Sequence, residues 1–328
     1  MPWPTQDPFL FCVHHLDAYP RGDARMGPDA SLEGRDLGMD FELRDGFRMY
    51  HGQVVPGFPA HPHRGFETVT LARQGLIDHA DSLGATARFG RGDVQWMTAG
   101  QGILHSEMFP LVHQDRSNPV ELFQIWLNLP ARNKLTAPHF AMLWAPDIPI
   151  HRVADTRGRI TTLVTVAGPY DGQVPPSPPP RSWASEPESD VAIWTLRLEA
   201  GASFQVPHAL GGETRRSLYF FSGDRIRVDG EEVEAHMALH FDGGSAIELE
   251  NADAESELLM LQGRPIGEAV AHHGPFVMNT REELVQAILD YEKTGFGGWS
   301  WSTSEPVHPR EARRFARHAD GRTEEGPY

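Results

Sequence analysis

HPHRGFETVT, residues 61–70, sets two histidines one residue apart and a glutamate four residues after the second. Its alternating, β-branched second half reads as a strand, and alternate side chains of a strand share one face. Taken as one extended stretch, His61, His63 and Glu67 therefore point the same way, with Gly65 leaving room between them. Further on, GDVQWMTAGQGILHSEMF, residues 92–109, adds His105 and Glu107, which share a face of their own strand. If these two strands are neighbours in a barrel, three imidazoles and a carboxylate converge in its interior. Such groups are costly to bury without a partner, and a divalent cation stabilises them. Nitrogen and oxygen donors without a thiolate suit iron, manganese, nickel, copper or zinc better than calcium or magnesium. The competing reading is a structural histidine cluster. One His-x-His carries little weight by itself, and the second pair is what favours a metal site. Gly100 and Gly102, just before His105, would let backbone and ligand approach closely.

Around these motifs the chain is punctuated in the manner of an all-β protein. MDFELRDGFRMY, GLIDHADSLG and VELFQIWLNL read as strands in the first half, and RITTLVTVAG, VAIWTLRLEAG and SLYFFSGDRIRVDG in the second. The 328 residues, with 40% apolar composition, suffice for two ordinary cores. We place one β-domain over 1–145 and a second over 146–295. Residues 171–190, DGQVPPSPPPRSWASEPESD, read as a proline-rich surface excursion within the second, since proline cannot sit in a central strand. One helix is predicted over 280–294, where Thr280 and Glu283 form a capping box, Leu284, Ala287, Ile288 and Tyr291 share a face, and Gly295 ends the run. The tail over 296–328 is polar and mixed in charge, which predicts a frayed end.

A formal charge of −16 argues against direct binding to nucleic acid, which a basic face would serve. The single cysteine, Cys12, excludes an internal disulfide and fits a reducing compartment. The N-terminus lacks the basic start and apolar run of a secretory signal, and no stretch approaches the ~20 apolar residues of a membrane span. The expected location is the cytoplasm, without membrane contact.

The two central motifs, together with GPFVMNTREELVQAI (274–288), are similar to those of the pirin family of the cupin superfamily, and the similarity runs over roughly residues 10–293. The resemblance implies an all-β bicupin, two consecutive antiparallel, jelly-roll-like barrels with a C-terminal helix. It also implies one mononuclear metal, most often Fe2+, in the first barrel, held by His61, His63, His105 and Glu107. The general cupin pattern would take its carboxylate from Glu67 instead. The longer pirin match favours Glu107 and leaves Glu67 to orient a histidine or anchor its strand.

Four protein ligands in a six-coordinate shell leave positions open for a chelating substrate and dioxygen. The resemblance thus implies a quercetin 2,3-dioxygenase-like activity on a flavonol or similar aromatic chelator, with Glu107 or Glu67 as the base. The alternative is a non-enzymatic iron-binding module that senses redox state and acts through a protein partner. Trp96, Met97, Phe66 and Phe109 flank the motifs, and core packing is the better role for most of them. His208, His236 and His240 in the second half lack a matching carboxylate. His14 and His15, like His272 and His273, point to opposite sides of an extended chain. Asp78, His79 and Asp81 read as polar residues serving a hairpin turn.

Overall fold

Runs bounded by Gly and Pro become strands, and the computed structural model, which describes residues 2–327, is all-β apart from one α-helix and short 3-10 turns. The first barrel begins with β1 (Phe9–Tyr19), β2 (Gly57–His63), β3 (Phe66–Gln74), β4 (Leu76–Asp81) and β5 (Thr86–Gly90). It continues with β6 (Val94–Thr98), β7 (Ile103–Met108), β8 (Asn118–Asn128) and β9 (His139–Leu143). One of its sheets has the order β1-β8-β3-β6-β9, and the other runs β2-β7-β4-β5 before two late strands extend it. Both sheets feed one core, which includes Ala72, Ile77, Phe89, Leu122 and Phe140.

The second barrel comprises β10 (Ile150–Ala154), β11 (Ile160–Ala167), β12 (Ala192–Leu198), β13 (Ser203–Val206), β14 (Arg215–Ser222), β15 (Arg225–Val228), β16 (Glu231–Glu234), β17 (Met237–Asp242), β18 (Ile247–Asn251) and β19 (Ser256–Gly263). Its sheets are ordered β10-β11-β12-β19-β14-β17 and β13-β18-β15-β16. Leu163, Trp194, Phe204, Phe220, Leu249 and Met260 fill the space between them. His240 bonds Ser217 at 2.9 Å and His208 bonds the carbonyl of Ala209 at 3.0 Å, so these histidines have local partners. The proline-rich stretch is less free than its composition suggests. Pro175, Pro179 and Trp183 are buried, and the Trp183 indole donates to the carbonyl of Arg264 at 2.9 Å.

By internal contacts, residues 14–125, 129–145 and those from Glu268 onward form one unit. Residues up to Val13, 126–128 and 146–267 form the other. By these contacts the hairpin β20 (Ala271–His273) and β21 (Phe276–Met278) and the helix α1 (Arg281–Thr294) group with residues 14–125 of the first barrel. The cause is local. The amide of Val277 donates to the carbonyl of Arg64 at 3.0 Å, which ties the hairpin to the corner between β2 and β3. Leu284 and Ala287 of α1 then pack on Phe276 and Met278. The predicted capping box is present, with Glu283 N donating to Thr280 Oγ1 and Thr280 N to Glu283 Oε2, and Gly295 takes the left-handed C-cap conformation at φ 53°.

The tail is ordered, contrary to expectation. Its strand β22 (Phe315–Arg317) pairs with β5 and is followed by β23 (Thr323–Glu325), which completes the six-stranded sheet. Ala316 of β22 belongs to the core of the first barrel. No helix among the described residues is long and apolar enough to cross a membrane.

Candidate metal centre

β2 is the edge strand of its sheet and carries prolines at 59 and 62, residues that a central strand would not tolerate. Its pairing with β7 slips between Phe58, opposite Glu107, and His61, opposite His105. Pro59 lies in the resulting bulge, and such bulges re-aim side chains. Its carbonyl, freed from the ladder, accepts from His61 Nδ1 at 2.8 Å. That bond fixes the tautomer and leaves the lone pair of Nε2 available.

His61, His63 and His105 each offer a ring nitrogen, and these atoms all lie within 4.8 Å of one another. The ring centroids are 4.7 Å apart for His61 and His63, 4.5 Å for His61 and His105, and 4.9 Å for His63 and His105. His105 is fully buried, and neither of its ring nitrogens has a hydrogen-bond partner among the described residues. Buried polar groups are almost always satisfied. Burial also pushes the His61 imidazole down to about 4, and it holds those of His63 and His105 well below the usual range, helped by the neighbouring histidines. The three rings are therefore neutral at physiological pH. Three converging neutral imidazoles, one with both nitrogens unsatisfied, fit a transition-metal ion in donor type, protonation and burial.

Glu107 shares the inward face of β7 with His105, but its carboxylate lies outside that tight triad. Thr70 donates to its Oε1 at 2.7 Å and Gln124 to its Oε2 at 3.0 Å. Burial raises its pKa, and these two bonds together with nearby His79 oppose the rise. His79 is a residue the sequence reading assigned to a turn. It stands opposite Glu107 in the β4–β7 ladder, fully buried, with its ring stacked on Phe140 at 5.0 Å and its Nε2 3.4 Å from Asp81 Oδ2. Asp81 does serve the turn, accepting from the amides of Leu83 and Ala85. The signal for His79 was strand parity: Ile77, His79 and Asp81 alternate on one face.

Glu67 does not share the face of His61 and His63. The chain turns at Gly65, which adopts φ 86° against the carbonyl of Val277, so β2 and β3 lie in different sheets and the alternation restarts. On β3 it is Thr70 that reaches Glu107. Glu67, three positions earlier, lies on the opposite face, where it accepts from Thr98, its cross-strand partner, at 2.6 Å.

The flanking aromatics and Met97 are core residues, with Phe66, Trp96 and Met97 fully buried and Phe109 nearly so. Phe66 also meets His63 edge-on at 5.1 Å. Another aromatic beside His61 lies outside the motifs. Phe58 lies 6.5 Å from His61 and packs against Tyr50 and Phe41. Gly100 and Gly102 permit close approach, though of protein rather than ligand: the carbonyl of Thr136 abuts Gly100, and the Phe296 ring abuts Gly102.

Comparison with known proteins places the chain in a family. Residues 28–127 match the pirin family model and residues 193–297 match that of the pirin C-terminal cupin domain. A pirin-like protein of Caulobacter vibrioides is 38% identical over 240 residues, which cover 73% of this chain and 80% of that protein. Pirin of Homo sapiens is 35% identical over 257 residues, covering 76% and 82%. Among solved structures, a quercetin 2,3-dioxygenase from Acinetobacter baumannii aligns with a TM-score of 0.69 at 27% identity, covering 89% of this chain and 87% of its own. With its two barrels matched in order by the two halves of the family, and with relatives of this identity aligned over most of their length, the chain belongs to the pirin family.

Proposed function

We propose that the first barrel binds one divalent transition-metal ion, iron by expectation, through His61, His63, His105 and Glu107, and that the site opens the ring of a flavonol or similar chelating aromatic with dioxygen. The observation that carries this reading is the histidine triad, buried at His63 and His105, in which both nitrogens of His105 lack a partner among the described residues. The likeness to a solved quercetin 2,3-dioxygenase supports the substrate class. An ion held there would lower the pKa of a coordinated hydroxyl and give dioxygen and substrate a common site.

The protein's own groups do the rest. The bond from His61 Nδ1 to Pro59 holds the ring with Nε2 turned away from that carbonyl. Glu107, with its pKa raised by burial, is suited to accept the proton of the substrate hydroxyl. Thr70 and Gln124 hold its two oxygens, so the carboxylate is oriented before substrate arrives. Phe58 and Tyr50 offer apolar surface against which a planar ring can exclude water.

The test uses protein loaded with Fe2+ without air and mixed with quercetin. Turnover predicts a metal-dependent shift of the flavonol absorption band on binding, then bleaching with equimolar oxygen uptake once air is admitted. A shift without bleaching leaves binding only and favours a redox-sensing, partner-directed role. The control is the His61→Ala, His63→Ala variant, because free iron oxidises flavonols slowly. Wild type that bleaches no faster than this variant overturns the enzymatic reading.

A further inference from the structure

We infer that residues 299–317 form a positioning strap that holds the histidine-bearing edge strand β2 in register, and thereby sets how long the site retains its metal; the second part rests on the metal reading proposed above.

An edge strand with prolines at 59 and 62 has few ladder bonds to spare, and β2 pairs in its sheet with β7 alone. Its outer side is not left bare. The amide of Ala60, next to His61, donates to the carbonyl of Ser304 at 2.8 Å. Three residues earlier, the Trp301 indole donates to the carbonyl of Asp81 at 2.7 Å, and Asp81 is the cross-strand partner of His105. The same stretch therefore touches strands on both sides of β7.

Beyond Ser304 the strap crosses the outer face of the sheet whose inner face bears the histidines. Val307 packs with Met26, Val55 and Met108. The amide of His308 donates to Asp78 Oδ2 at 2.8 Å. Arg88 reaches out of the sheet to the carbonyls of His308, Pro309 and Ala312 at 3.1, 2.8 and 3.0 Å. β22 then adds itself to β5. The strap is fastened along β2 at one end and within the barrel core at the other, and it lies past residue 297, where the family match ends.

The experiment uses the full chain. Trp301→Phe removes the indole donor and keeps most of the ring, and Trp301→Ala with Val307→Ala loosens the strap further. Amide exchange is followed for Ala60, His61 and His63, for the strap and for β12 in the other unit. Release of Co2+ from loaded protein to excess chelator is followed in parallel. We expect exchange of Ala60 and His61, together with Co2+ release, to quicken in step, by roughly 5-fold for the single variant, the factor that one ordinary hydrogen bond gives, while β12 is unchanged. Faster strap exchange with unaltered β2 exchange and Co2+ release overturns the inference, and so does an equal acceleration of β12, which would mean global loosening. Should the wild type take up no Co2+, the metal reading fails, and exchange at Ala60 and His61 still decides the strap.

Discussion

Asp78 and Arg88 are cross-strand partners on the outer face of β4 and β5, fully buried, and joined by two bonds of 2.7 Å, Nε to Oδ1 and Nη2 to Oδ2. The polar tail contacts both, Asp78 through the His308 amide and Arg88 through the carbonyls of His308, Pro309 and Ala312. Removing one partner leaves a buried charge uncompensated, which costs about 3–5 kcal/mol. Asp78→Ala is therefore expected to lower the urea midpoint strongly at unchanged slope. It is also expected to free the tail, because the His308 amide loses its acceptor. A loss below about 1 kcal/mol would mean that the pair and the tail are replaceable by solvent.

The two glutamates separate by face. Glu107→Gln removes a carboxylate from the side of β7 that carries His105, and a fall in metal affinity of at least ~10-fold is expected. Glu67→Gln acts on the other face of β3 and is expected to leave metal content unchanged. Metal analysis of both purified variants decides the matter, and loss confined to Glu67→Gln would return the ligand role to it.

Acid lability follows from the buried imidazoles. Burial pushes His15 down to about 3 and His61 to about 4, and it holds His63 and His105 well below their ordinary value. The unfolded chain then binds more protons than the folded one below the unfolded pKa of about 6.5, so stability rises with pH and is lost as pH falls through that value. Between pH 6 and 5 each such group removes about 1 kcal/mol. Asp17 and Glu107, raised by burial, act in the opposite sense. Metal-free protein should therefore lose several kcal/mol over that unit of pH in urea titrations, and a flat profile would contradict the burial of neutral histidines.

Strand alternation made much of this legible. The all-β character and the capped helix follow from period-two and period-3.6 patterns, whereas the two-barrel arrangement came from the resemblance of the motifs and the pairing of His61 with His105 depends on the slip in the β2–β7 ladder. What escaped were places where a distant segment overrules the local pattern. Gly65 breaks the parity that linked Glu67 to the histidines, because the backbone of Val277 packs against it. The tail's polarity hid its order, since Arg88 satisfies its carbonyls from over 200 positions away in sequence. Histidine 79 was missed for the opposite reason: its flanking aspartates suggested a turn, while its own parity placed it inside.

Gly102 and Phe296 offer a last test of how the C-terminal segment meets the motif. Gly102 has φ 132°, and a Cβ there would come within 2.6–2.8 Å of the Phe296 ring. Phe296 is held in turn by the Arg64 guanidinium, 4.6 Å above its ring, and by Tyr291 and Phe276. Gly102→Ala therefore strains the backbone and displaces a ring with little room to move, a cost of about 2–4 kcal/mol. Phe296→Ala loses a half-buried aromatic at about 2 kcal/mol. In the double variant the ring that the new methyl would strike is gone, so its cost should fall short of the sum of the single costs by at least about 1 kcal/mol. The backbone part of the Gly102→Ala cost should persist, because it does not depend on Phe296. Strict additivity in a denaturation-based double-mutant cycle would show that the ring and the glycine are not in the contact described.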